Sequence, residues 1–151
     1  MRNTRKKELS RRSFIKTGTT AATVFSIVPG HVVGANGKTP PSEKLNIAGI
    51  GIGGMGRGNI GACKGENIVA LCDVDSKYAG NTFKAHPNAA TYVDYRVMLE
   101  KEKDIDAVVI ATPDHTHAVI TMAAIEMGKH VYCQKPLTHT VEEARKITAA
   151  A

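Results

Sequence analysis

LNIAGIGIGGMGRG, residues 45–58, is the stretch whose reading decides the fold. Its apolar residues Leu45, Ile47, Ala48 and Ile50 run straight into glycines, as a buried strand does before a tight turn. Gly51, Gly53 and Gly56 form G-x-G-x-x-G, and a helix is expected over 56–64. In a strand–turn–helix unit of this kind the first glycine permits the sharp turn. The second lets the backbone approach a pyrophosphate, and the third packs helix against strand. The N–H groups opening the helix then face the phosphates, which makes Gly51, Gly53, Gly54, Met55 and Gly56 candidate cofactor-binding residues. An overlapping match begins at Gly49 (Gly49, Gly51, Gly54). The register from Gly51 is preferred because it leaves a longer strand ahead of the turn.

Glycine clusters also mark ordinary loops, so the motif alone decides little. The next segment adds weight. Residues 68–73 (IVALCD) are a compact apolar run ending in Asp73. An acid closing the second strand, about 20 residues beyond the glycines, is placed to accept hydrogen bonds from a ribose 2′-hydroxyl. It would repel a 2′-phosphate, and no Arg follows it; Lys77 is the nearest cation. NAD is therefore expected in preference to NADP.

The chain has 151 residues, enough for one domain with a real core. Its net charge of +6 raises the question of a polyanion partner. The distribution of charge answers it. Seven of the 20 Lys and Arg residues and one of the 14 acids lie within residues 1–35, leaving the remainder neutral. Aromatic residues make up 5% and include no Trp, which argues against a base-stacking surface, so no nucleic-acid partner is expected. Cys63, Cys72 and Cys133 form no C-x-x-C pair and are expected as free, largely buried thiols.

Residues 1–35 read as an export leader: a cationic start, SRRSFIK at 10–16, a mildly apolar stretch over 17–28, then Val33-Gly34-Ala35. SRRSFIK resembles the twin-arginine export motif, and the small residues at 33 and 35 suit cleavage after Ala35. The apolar stretch is shorter than the roughly 20 residues that span a bilayer. Membrane contact is thus expected to be transient, or through an uncleaved leader. Twin-arginine export carries folded proteins, often with a cofactor aboard, which fits a nucleotide-binding domain bound for the periplasm.

Residues 36–43 (NGKTPPSE) are a Pro-rich linker. Over 44–151 strand and helix patterns alternate. Strands are expected at 45–50, 68–73, 90–93, 105–111 and 130–133, and helices at 56–64, 75–86, 95–101, 114–127 and from Thr140 onward. Gly128 fits a helix C′ position, and Thr140 with Glu143 forms a capping box. Alternation of this kind predicts an α/β fold, a doubly wound parallel sheet of about five strands. Ending within a helix after five strands, the chain reads as the front of a longer protein whose substrate domain is absent, and it is expected to be inactive alone.

Two further stretches fall at strand C-terminal ends, the edge where open α/β sheets bind ligands: Ala111-Thr112-Pro113-Asp114-His115-Thr116-His117 and Cys133-Gln134-Lys135-Pro136-Leu137. His115 and His117 are two apart, which does not align them on one helix face, and no third ligand stands nearby. No metal is expected. His117 is open to a cofactor-cleft role or to a hydrogen bond at a helix start. Tyr78, Tyr92, Tyr95 and Tyr132 belong to no motif and are read as core or surface.

GIGIGGMGRG (49–58), Asp73, ATPDHTHA (111–118) and CQKPLTHTVEEA (133–144), in this order and spacing, resemble the Gfo/Idh/MocA family over residues 45–151. The resemblance implies a Rossmann domain of an NAD(P)-dependent oxidoreductase of sugars or cyclitols, followed by a second α/β domain. It implies that the glycine turn holds the pyrophosphate, that Asp73 holds the adenosine ribose, and that Thr112, Pro113 and His117 belong to the cofactor-cleft loop. Lys135, from the family's E-K-P motif, is implied as the catalytic residue that orients the substrate hydroxyl beside the nicotinamide. Gln134 replaces the usual Glu, keeping hydrogen-bonding capacity and losing a negative charge; it too is implied as cofactor-binding. Association into oligomers is an expectation for the full-length form. Two rival readings remain: a redox-neutral, NAD-dependent glycosidase of the same fold, and a non-catalytic nucleotide- or sugar-binding remnant.

Overall fold

Short runs rich in Val, Ile, Ala and Tyr form five strands in the computed structural model, which describes residues 39–151. The expected export leader and residues 36–38 of the linker lie outside the described residues. A short 3-10 turn, Pro41–Glu43, precedes β1 (Asn46–Ile50). There follow α1 (Gly54–Ala62), β2 (Asn67–Cys72), α2 (Gly80–Ala85), β3 (Ala90–Tyr92) and α3 (Tyr95–Lys101). Then come β4 (Ala107–Ile110), a 3-10 turn at Asp114–Thr116, α4 (His117–Glu126), β5 (His130–Cys133) and α5 (Val141–Ala150). Every pairing is parallel, and the sheet order is β3-β2-β1-β4-β5. The expected doubly wound sheet is present. Its winding direction reverses between β1 and β4, which opens a crevice beyond the strands' C-terminal ends.

The central strands are covered on both faces. Ile47, Leu71 and Val109 pack with Ile52, Ile60, Ala79 and Ala89 on one side. Ala48, Ile50, Ala70, Val108 and Ile110 pack on the other with Met98 and Leu99 of α3 and Ile120 and Ala124 of α4. Two covered faces explain why these strands read as continuous apolar runs and not as alternations. Ile60, fully buried, is worth about 1.5–3 kcal/mol and seats α1 under the sheet just beyond the glycine turn.

Several boundaries differ from expectation, each for a local reason. The helix expected over 75–86 forms only at Gly80–Ala85. Asp75 Oδ1 accepts hydrogen bonds from the Lys77 and Tyr78 N–H groups at 3.0 and 2.9 Å, as a helix N-cap does. The Gly80 N–H then bonds the Lys77 carbonyl at 3.2 Å, only three residues back, so this first turn does not run on as α-helix. The 114–127 helix divides into the 3-10 turn and α4. The first helix starts at Gly54, two residues early, and ends at Ala62. At the far end of α4, Gly128 takes the C′ position with φ +71°. The capping box of α5 is complete: the Glu143 N–H donates to Thr140 Oγ1 at 3.2 Å, and the Thr140 N–H donates to Glu143 Oε2 at 2.9 Å. That backbone N–H of Thr140 is the main reason the Glu143 carboxyl lies below its usual range.

Candidate cofactor site

The glycine turn uses the register that begins at Gly51. Gly51 has φ +74°, a left-handed conformation that L side chains resist, and its N–H donates to the Cys72 carbonyl at 2.9 Å. A Cβ on Gly51 would sit 2.7 Å from the Thr112 nitrogen, so the turn also lies hard against the loop after β4. Gly56 meets the turn from the helix side, where a Cβ would stand 1.9 Å from the Gly51 carbonyl oxygen. Helix and strand can approach this closely only with hydrogen at position 56.

Asp73 follows the last residue of β2. Its Oδ2 accepts a hydrogen bond from the Gly53 N–H at 3.0 Å, and its Oδ1 accepts one from Asp75 N–H at 2.9 Å. The carboxylate is thereby tied to the start of α1, and each oxygen keeps a lone pair for a further donor. Cys72, beside it, is 2% exposed. Burial first, then the charges of Asp73 and Asp94, push its thiol up to about 12, so it stays protonated and is no nucleophile at neutral pH.

These residues wall a cleft of about 530 Å³ at the C-terminal edge of the sheet. Four successive strand ends contribute: Gly51 and Gly53 after β1, Asp73, Val74 and Tyr78 after β2, Val93 and Tyr95 after β3, and the 111–116 loop after β4. Of the residues expected in a cofactor site, the fold brings Gly51, Gly53, Asp73, Thr112 and Pro113 together here. Gly54 and Met55 open α1 and are exposed, while Gly56 is buried against Gly51. Sequence reading passed over the apolar rim. Val74 is 84% exposed and Tyr78 66% exposed, although both line the cleft. The Tyr78 ring lies over Gly53, where a Cβ would come within 2.2 Å of it. The signal available was the turn led by Asp75, which aims position 78 back at the glycines.

The remaining three expected site residues stand around the end of β5. Gln134 continues the β4–β5 pairing, its N–H donating to the Ile110 carbonyl at 2.9 Å. Its Nε2 donates to Asn59 Oδ1 on α1 at 3.1 Å. Lys135 is exposed and does not line the cleft. His117 opens α4 but is 2% exposed and turned inward. Its Nδ1 lies 2.7 Å from the Pro136 carbonyl oxygen and its Nε2 2.8 Å from that of Thr112. Its ring thus touches the cleft loop from within and has no free nitrogen to offer a ligand. Among the described residues no group of three His, Cys, Asp or Glu side chains could hold a metal ion, and no helix is long and apolar enough to cross a membrane.

A parallel sheet in 3-2-1-4-5 order, a glycine turn at its reversal point and an acid at the end of the second strand together define a dinucleotide-binding Rossmann domain. Residues 45–151 match the Gfo/Idh/MocA model, described as an oxidoreductase family with an NAD-binding Rossmann fold, and the chain belongs to that family. It is 36% identical over 115 residues to an inositol 2-dehydrogenase of Klebsiella pneumoniae, covering 72% of this chain and 33% of that protein. It is 33% identical over 113 residues to one of Rubrobacter xylanophilus, covering 72% and 32%. Among solved structures, the myo-inositol dehydrogenase of Lactobacillus casei in complex with NAD(H) and myo-inositol is 29% identical, with a TM-score of 0.65, over 71% of this chain and 33% of that one. The chain thus spans about a third of the length of the curated relatives it matches.

Proposed function

We propose that this chain is the cofactor-binding part of an exported, NAD-dependent dehydrogenase that oxidises a hydroxyl-bearing carbon of a cyclitol or sugar. The observation that carries the reading is the convergence of the glycine turn, the Asp73 carboxylate and the Thr112–Pro113 segment on one cleft where the sheet reverses. The residues fit a dinucleotide. Gly53 and Gly54 leave the backbone at the opening of α1 without side chains, and the helix's first N–H groups have no partner within the helix. The Asp73 carboxylate accepts from ribose hydroxyls and repels a 2′-phosphate. When bound, NAD supplies the hydride acceptor. The chain's own work is binding and orientation. Thr112 and Pro113 wall the cleft, and the exposed Lys135 ammonium donates a hydrogen bond that holds the substrate hydroxyl. A base from a second domain takes that hydroxyl's proton.

The names of the relatives support a cyclitol or sugar as substrate. The SRRSFIK leader supports transport by the twin-arginine machinery, with removal of residues 1–35 and a periplasmic location. Association into oligomers belongs to the full-length form.

The test is an assay of the full-length protein with NAD and a panel of cyclitols and sugars, reading NADH formation. Oxidation is expected with NAD and poorly with NADP, and Lys135→Ala is expected to lower kcat by about a hundredfold. Release of reducing sugar without accumulating NADH would establish the redox-neutral glycosidase instead. Failure to bind NAD would leave the remnant reading.

A further inference from the structure

We infer that His117 and Asn59 are positioning residues that fix the backbone on either side of Lys135, one from α4 and the other from α1. The inference rests on the proposed role of Lys135 beside the nicotinamide and goes beyond it by naming what holds that lysine in place. Lys135 itself is exposed, and a long exposed side chain directs nothing unless its own backbone is held. The residue before it is held: the Gln134 N–H bonds the Ile110 carbonyl, and its amide Nε2 bonds Asn59 Oδ1. Gln134 Oε1 in turn accepts from the Lys135 N–H at 3.2 Å. The residue after it is held too, because the Pro136 carbonyl lies 2.7 Å from the buried ring of His117.

The placement of the two anchors matters. Asn59 sits on the helix that the glycine turn opens, one turn past Gly56. The second nitrogen of His117 faces the carbonyl of Thr112, in the loop that walls the cleft. Carbonyl oxygens only accept, so the ring is the donor in each bond it makes; a neutral ring makes one of the two and an imidazolium both. The Gln134–Asn59 bond, together with the His117 bond to Pro136 made when Nδ1 carries the hydrogen, references the segment carrying Lys135 to α1 on one side and α4 on the other. The Gln134 amide performs with its Nε2–H what a Glu at this position would require from an amide donor on Asn59, which suits a side chain that can present either end.

The experiment measures affinity of the whole chain for NADH, by nicotinamide fluorescence, and for ADP-ribose, which lacks the nicotinamide. Lys135→Ala serves as the reference and is expected to weaken NADH while sparing ADP-ribose. His117→Phe and Asn59→Leu are each expected to weaken NADH by about threefold to tenfold, the equivalent of one hydrogen bond, with ADP-ribose unchanged. Both are also expected to shift the bound-NADH emission in the direction that Lys135→Ala does. His117→Asn, which keeps one donor, is expected to recover part of the loss. Equal weakening of both ligands, or no change in either, with Lys135→Ala behaving as expected, overturns the inference alone. A Lys135→Ala chain that binds NADH like the parent removes the contact between Lys135 and the nicotinamide and overturns the inference, while the substrate-hydroxyl role of Lys135 stands or falls separately with the kcat assay.

Discussion

Gly56→Ala tests the glycine turn most severely. The added methyl would stand 1.9 Å from the Gly51 carbonyl oxygen, whereas carbon and oxygen rest no closer than about 3.3 Å. Relief therefore needs a displacement of roughly 1.4 Å between α1 and the end of β1, and both partners are backbone. Ile60, buried one turn further along α1, resists that movement because it is locked into the core with Ile47, Leu71 and Val109. Overpacking of this kind costs about 2–3 kcal/mol. In a domain of this size the midpoint of thermal unfolding should fall by roughly 8–13 °C. Gly53→Ala provides the contrast. There the close neighbour is the Tyr78 ring, an exposed side chain free to rotate away, so the cost should stay under about 1 kcal/mol. Thermal unfolding followed by circular dichroism measures both, and Gly53→Ala/Tyr78→Ala should unfold like Tyr78→Ala. A Gly56→Ala chain as stable as its parent would refute the packing argument, and with it the register of the turn.

Two more outcomes follow from local chemistry. The Cys72 thiol is raised in the folded chain and returns to about 9 on unfolding, so the unfolded state releases its proton first as pH rises. Its contribution to stability is complete below pH 9 and is lost as pH climbs towards 12; Cys72→Ala should flatten that alkaline decline in urea titrations across the range. Thr140→Ala removes the acceptor for the Glu143 N–H and should destabilise α5 by about 1 kcal/mol, read as faster amide exchange at its first turn with the sheet unaffected.

The order of elements was written in the pattern of apolar runs and glycine, because local conformation follows local chemistry. Gly51 must turn where β-branched residues cannot, and Thr140 with Glu143 caps whatever helix follows. Asp73 was legible for the same reason: its position is counted along the chain from the glycines. Even the shortfall over 75–86 was local in cause, since the Gly80 N–H bonds the Lys77 carbonyl three residues back, and a glycine inside a helical pattern was there to be read.

What depended on the folded chain is everything joined across long separations. The inward turn of His117, its contacts with Thr112 and Pro136, and the pairing of Asn59 with Gln134 arise because β1, β4 and β5 lie side by side. No periodicity marks Val74, Tyr78 or Tyr95 as lining a cleft; they become its rim only when four strand ends are brought to one edge. Motif spacing reports neighbours along the backbone, whereas a site assembled from four loops is set by the order in which the strands hydrogen-bond.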